Sequence, residues 1–193
     1  MNKGEQLPML LFATQQDWEA WLAEHHREPA GVWLKLAKRS TGVSSVSYQE
    51  ALESALCYGW IDGQKAAFDE QYWLQKFTPR RPKSVWSQVN REKALVLIAA
   101  GRMQVEGLRQ VELAKVDGRW EQAYASQSKI SIPDDFQRAL AENPQAQAFF
   151  STLNSANRYA ILYRIAEAKK AETRAARIEK YIAMLARNEK LHP

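Results

Sequence analysis

All eight glycines of this 193-residue chain lie at or before Gly118, so its final third has none. Glycine supplies the positive-φ positions that tight hairpin turns and bulges use, and a long stretch without it favours helices. The strand signals gather instead before Arg80. This distribution predicts an α+β fold, with a small antiparallel-containing sheet and flanking helices in residues 1–125, followed by an all-helical module in residues 132–188.

Local patterns fill in that outline. Leu7 to Ala13 reads as a first short strand, and Thr14 with Asp17 caps a helix over residues 15–27 that carries Trp18, Trp21 and Leu22. Val32, Leu34 and Leu36 alternate with Trp33, Lys35 and Ala37, which is a strand signal. Arg39 to Val46, rich in Ser, Thr and Gly, reads as a loop. Ser47-Tyr-Gln-Glu50 is a capping box that opens a helix, and Gly59 stands where a left-handed terminating residue belongs. Trp60–Ala67 and Gln71–Thr78, joined by Phe68-Asp69-Glu70, predict a hairpin that completes a sheet of three or more strands. A helical pattern follows from Ser84, with Val85, Val89, Leu95 and Ile98 on one face and Gly101 at its end, and a further helix covers residues 104–116. Beyond Ser131, Pro133 takes a first-turn position beside Asp134 and Asp135, and Asn143-Pro144 starts another helix. Ser155 caps the next. Ile178, Ile182 and Leu185 form a stripe on a last helix from about Ala171 to Asn188.

Hydrophobic residues at 46% and charged residues at 25% exclude fibrous and disordered classes. The net charge of +5 permits an anionic partner without requiring one. The longest apolar run, Ala94 to Ala100, is far short of the roughly 20 residues a membrane helix needs, so no membrane insertion is expected. Lys3 precedes the apolar Leu7–Ala13 stretch, but Pro8 interrupts it and no small-residue cleavage site follows, which argues against a secretory signal. Cys57 is the single cysteine, so no internal disulfide can form and a cytoplasmic location is the expectation.

The most distinctive chemistry lies in Trp60-Ile-Asp-Gly63 followed by Phe77-Thr-Pro-Arg-Arg-Pro-Lys-Ser-Val-Trp-Ser87. No acidic residue occurs between Gln71 and Arg91, while Lys76, Arg80, Arg81, Lys83 and Arg91 are basic. Pro79 and Pro82 stiffen a loop that presents adjacent guanidiniums, which pair bidentately with carboxylate or phosphate. Free amides at the start of the next helix, near Ser84 and Ser87, also favour an anion. The candidate ligand site therefore comprises Trp60, Asp62, Arg80, Arg81, Trp86 and Asn90. The arginines hold the anionic group, the tryptophans line the walls, Asn90 adds a hydrogen bond and Asp62 orients a guanidinium. The competing structural reading pairs the arginines with internal acids, places the tryptophans in the core and makes Asp62 a strand-end turn residue.

No catalytic residue is identified. Cys57 lies on the apolar side of a capped helix and reads as buried and inert. Adjacent His25 and His26 point to different helix faces, so no metal site is expected, and His192 lies near the chain end. No phosphate-cradling glycine loop, Ser-His-Asp arrangement or paired-carboxylate motif occurs, and no cofactor is implied. An enzymatic alternative would use Asp62 as general base. Six basic against three acidic residues over 164–180 read as a solvated amphipathic face, which makes nucleic acid the weakest partner class.

Three motifs in order carry a resemblance: Tyr48-Gln-Glu-Ala-Leu-Glu-Ser-Ala-Leu-Cys-Tyr-Gly-Trp-Ile-Asp-Gly63, Phe77-Thr-Pro-Arg-Arg81 with Ser84-Val-Trp-Ser-Gln-Val-Asn90, and Ile165-Ala-Glu-Ala-Lys-Lys-Ala-Glu-Thr-Arg-Ala-Ala-Arg-Ile178. From about Phe12 to Arg187 the chain resembles the bacterial YdeI/OmpD-associated family, also labelled bacteriocin-protection proteins. Its C-terminal module is similar to the helical domain that gives the family its name. The resemblance implies a role in envelope stress or bacteriocin tolerance and supplies no catalytic residues. The leading expectation is a cytoplasmic stress or tolerance protein that binds a small anionic ligand. The alternatives are a protein-interaction module acting through the C-terminal helices and a weak nucleic-acid binder.

Overall fold

The alternation at Val32, Leu34 and Leu36 organises the sheet. In the computed structural model, which describes residues 7–39, 41–125 and 130–192, these side chains point inward from β2 (Val32–Ala37) and are at most 2% exposed. Strand β2 pairs antiparallel with β4 (Tyr72–Pro79), which pairs antiparallel with β3 (Trp60–Ala67). A short β1 (Met9–Leu10) runs parallel to β2, giving the order β1-β2-β4-β3. A parallel pair needs a crossover connection, and α1 (Gln15–His25) supplies it. The β3–β4 turn is closed by Asp69, whose Oδ1 accepts from Gln71 N at 2.8 Å and Tyr72 N at 2.7 Å. The β3 register shifts between Asp62 and Lys65, and buried Gln75 donates to the Gly63 and Gln64 carbonyls there, at 2.9 and 3.1 Å.

Both expected capping boxes form, Thr14 with Asp17 on α1 and Ser47 with Glu50 on α2 (Tyr48–Cys57). These helices bury Trp18, Leu22, Leu52 and Leu56 in a core shared with Trp60, Phe77 and the inward side of β2. The Trp18 indole donates to Ala51 O at 3.0 Å, so the ring enters the core without an unmet donor. Gly59 leaves α2 at φ +76°, as its position predicts, and α4 (Val105–Val116) packs on the same corner. Gly107 of α4 approaches so closely that a Cβ there would overlap the Cys57 carbonyl oxygen.

Helix α3 (Gln88–Ala99) departs from the sequence expectation. It starts after Ser87, whose Oγ accepts from Asn90 N at 3.1 Å, while Ser84 Oγ is taken by Arg81 N at 2.9 Å. Its buried residues are Ala94 and Leu97, and of the face expected from Val85, Val89, Leu95 and Ile98 only Ile98 packs against the core, while the other three are exposed. The first helix also ends at His25, short of residue 27.

The chain divides into two compact units, Met1–Ala123 and Tyr124–Pro193. The first is the mixed α+β region with its small antiparallel-containing sheet. The second is all-helical among its described residues: α5 (Asp134–Ala141), α6 (Pro144–Thr152), α7 (Ser155–Ala166) and α8 (Ala171–Ala186). Pro133 is the residue before α5 rather than in its first turn, and Asn154, not Ser155, caps α7 by accepting from Asn157 N at 2.9 Å. Phe136, Ile161, Ile165 and Leu185 are fully buried at the centre. Asn157, 1% exposed, holds the chain after α8: its Oδ1 accepts from Leu191 N and His192 N, and its Nδ2 donates to His192 O. Arg174 of α8 clamps Asp135 of α5 with two bonds, Nε to Oδ2 at 2.5 Å and Nη2 to Oδ1 at 2.9 Å, and gives Nη1 to Ile165 O.

Two outcomes follow from this packing. Gly107→Ala should lower stability by about 2–3 kcal/mol, the upper part of the range for overpacking. All seven tryptophans lie in the first unit, so urea denaturation followed by tryptophan fluorescence reads it directly. Hydrogen bonds from Arg174 hold the Asp135 carboxyl below its ordinary 3.8. A carboxyl depressed in the folded state stabilises above its unfolded-state value, and that contribution is lost as pH falls through the folded value. Asp135→Asn should therefore cost about 1 kcal/mol or less at pH 7, discounted for solvent exposure, with the gap to wild type closing below pH 3.8. Far-UV circular dichroism against urea at several pH values checks this.

Candidate functional site

A proline-flanked segment has few regular backbone partners, so its carbonyls must be met by side chains or water. Between Pro79 and Ser87 arginines meet them. Arg80 continues the sheet edge through its N–H to Gly59 O at 2.9 Å, and its guanidinium donates to Val85 O at 3.2 Å. That guanidinium lies 3.5 Å from the centroid of the Trp86 ring, a desolvated cation–π contact, with Arg80 only 6% exposed. Trp86 packs edge-on against Trp120 at 4.9 Å. Arg119 gives Nη1 to Ser84 O at 2.7 Å while paired with Asp117, and Arg91 gives Nη1 to Trp120 O at 3.2 Å.

The six predicted ligand residues thus fall into two groups. Trp60, Arg80 and Trp86 are buried, with the Trp60 indole donating to His26 O at 2.7 Å. Their side chains are turned inward, and Arg80 meets a carbonyl and a ring where the competing structural reading looks to an internal acid. Arg81 is exposed, and Asn90 and Asp62 are half-buried. Arg80 and Trp86 are brought together, but Asp62 meets Tyr48, whose hydroxyl donates to Oδ2 at 2.7 Å. Burial, reinforced by that carboxylate, pushes the Tyr48 hydroxyl well above the usual phenol value. Cys57 is buried, and burial pushes its thiol up to about 11, far from the range of a nucleophilic thiolate.

The helical unit holds a feature that the sequence reading missed. A groove of about 1020 Å³ runs between α5 and α8. Ala139 of α5 and Ala175, Ile178, Ile182 and Ala183 of α8 line it. On α8, Ala171, Ala175, Glu179 and Ala183 recur every four residues, forming one ridge beside the Arg174-Ile178-Ile182 ridge. That spacing was legible, but nothing in it says that α5 is the neighbour. Leu185, placed on the same stripe as the isoleucines by sequence, is fully buried, while Ile178 and Ile182 are half-buried at the groove. The groove's rim carries Glu142, Glu172 and Glu179.

The basic run over 164–180 is partly consumed inside the same unit. Arg174 serves Asp135, and Arg177 serves Glu167 and the Arg164 carbonyl. Among the described residues, no three His, Cys, Asp or Glu side chains gather in a way that could hold a metal ion, and no helix is long and apolar enough to cross a membrane.

Comparison with curated proteins and with solved structures found no match. Two family models do match. Residues 129–188 match the family described as Bacteriocin-protection, YdeI or OmpD-Associated, a shorter span than the Phe12–Arg187 stretch over which the motifs resemble it. Residues 10–110 match a different model, Domain of unknown function (DUF8412). The chain thus belongs to the DUF8412 family through its sheet-bearing region and carries a Bacteriocin-protection, YdeI or OmpD-Associated segment in its helical one.

Proposed function

We propose that the protein is an interaction module for bacteriocin or envelope-stress tolerance, docking a partner protein on its C-terminal helices. The observation that carries this reading is the α5–α8 groove, which is open, apolar-floored and lies within the segment matched by the bacteriocin-protection family. Apolar surface left facing water between two helices is stabilised when a partner covers it. The setting is cytoplasmic in this reading, with Cys57 buried and reduced. A photo-crosslinking residue at exposed Ala175, inside the groove, should yield a discrete adduct in cells, whereas the same residue at exposed Ala148 of α6 should not. No adduct from position 175, or the same adduct from both, would count against it.

A second reading keeps the anion site in reduced form. Arg81 and Lys83 are exposed in a segment without acids, and Arg119 and Ser84 fix its backbone. Inorganic phosphate at a hundredfold its Kd should then stabilise the wild type by about 2.7 kcal/mol in thermal unfolding. Arg81→Ala with Lys83→Ala should abolish that gain. An equal gain in the double variant removes these residues from any anion site.

A further inference from the structure

We infer that the occupant of the α5–α8 groove is a cationic amphipathic helix, an inference that rests on the docking function proposed above and adds the chemistry of the partner. Charge carries the argument. Four acids and one cation line the groove, and Arg174 and Asp135 neutralise each other. Among the described residues, Glu142, Glu172 and Glu179 have no ion-pair partner. Some carboxylates elsewhere do find cations: Glu19 and Glu53 share Arg102, Glu106 meets Arg109, Glu112 meets Lys115 and Glu189 meets Arg187. In a chain with net charge +5, the lining of this groove holds more acids than cations beside its apolar residues.

The shape narrows the partner further. The floor is Ala139, Ala175, Ala183, Ile178 and Ile182, small enough for another helix to approach at the usual interaxial distance of about 8–10 Å. The 16 residues of α8 extend about 24 Å, room for a partner helix of about four turns. Glu172 and Glu179 lie two turns apart on one side, about 10.5 Å along the axis. A partner with Lys or Arg at i and i+7 meets both, and its apolar residues at i+3 and i+4 then face Ala175 and Ile178. This is recognition of a helix in a groove, with specificity set by the sign of the rim. An acidic partner or nucleic acid would meet like charge.

The test uses the full chain and three fluorescein-labelled 16-residue peptides in anisotropy titrations. One is a Leu/Ala/Lys amphipathic helix with Lys at i and i+7, the second replaces every Lys by Glu, and the third scrambles the first. The first peptide should bind at least tenfold tighter than either control, and its affinity should fall as salt rises, since screening shortens the range of exposed charges. Glu172→Lys with Glu179→Lys, both exposed positions, should weaken the first peptide at least tenfold and improve the second. Equal binding of the first two peptides, both blocked by Ala175→Trp, would overturn the charge assignment and leave groove docking standing. Undiminished binding of the first peptide to the double variant would also overturn it, as would no binding of any peptide. If, in addition, Ala175 gave no crosslink in cells, the docking reading would fall with it.

Discussion

The C-terminal end of α2 is the point on which the sheet-bearing unit depends. A helix terminus leaves carbonyls without intrahelical partners, and here neighbouring elements meet them. Gln104, at the entry to α4, donates its N–H to Cys57 O at 3.1 Å, and Gly107 fits against that same carbonyl. Gly59 then turns the chain into β3 through the left-handed region, and its own carbonyl accepts from Arg80 at the end of β4. One short stretch thereby joins two helices and two strands. The thiol of Cys57 is a by-product of this junction, buried because the junction is tight.

Arginines brace both main-chain carbonyls and carboxylates in each unit. In the first, Arg80, Arg91 and Arg119 donate to main-chain carbonyls of irregular segments, and Arg80 also stacks on Trp86. Guanidinium suits this role because its fixed fork of donors reaches carbonyls without the strong hydration of an ammonium. In the second, Arg174 ties three helices together through Asp135 and Ile165. A basic composition is therefore no guide here to where negative ligands would bind. Several of the positive charges are structural, and the lining of the α5–α8 groove holds more acids than cations.

The outline of the fold was legible because it is written in local chemistry. Alternation identifies β2, hydroxyl and carboxylate spacing identifies the starts of α1 and α2, and the missing glycines identify the helical third. The misreadings occur where two residues compete for one local role and distant contacts decide. Ser84 and Ser87 are equally good caps, but Arg119 and Arg81 engage Ser84 and leave the helix to Ser87. Asn154 and Ser155 present the same choice. Arg80 and Arg81 look alike in the sequence, yet neighbours in an extended segment point to opposite sides, so one packs on Trp86 while the other meets solvent. The groove was invisible for a related reason: alanine periodicity marks a thin helix face, and only the pairing of α5 with α8 makes that face a hollow.

Asn157 makes the end of the chain part of the interior of the helical unit. Its amide is engaged on both sides, with Oδ1 shared by two successive backbone N–H groups and Nδ2 given to a carbonyl in the same stretch. Shortening the protein by those last residues would take both partners from Oδ1 and leave Nδ2 with Asn154 Oδ1 alone. A trimmed version of the helical segment, cut where α8 ends, would therefore inherit a defect at its centre rather than merely lose a loose tail.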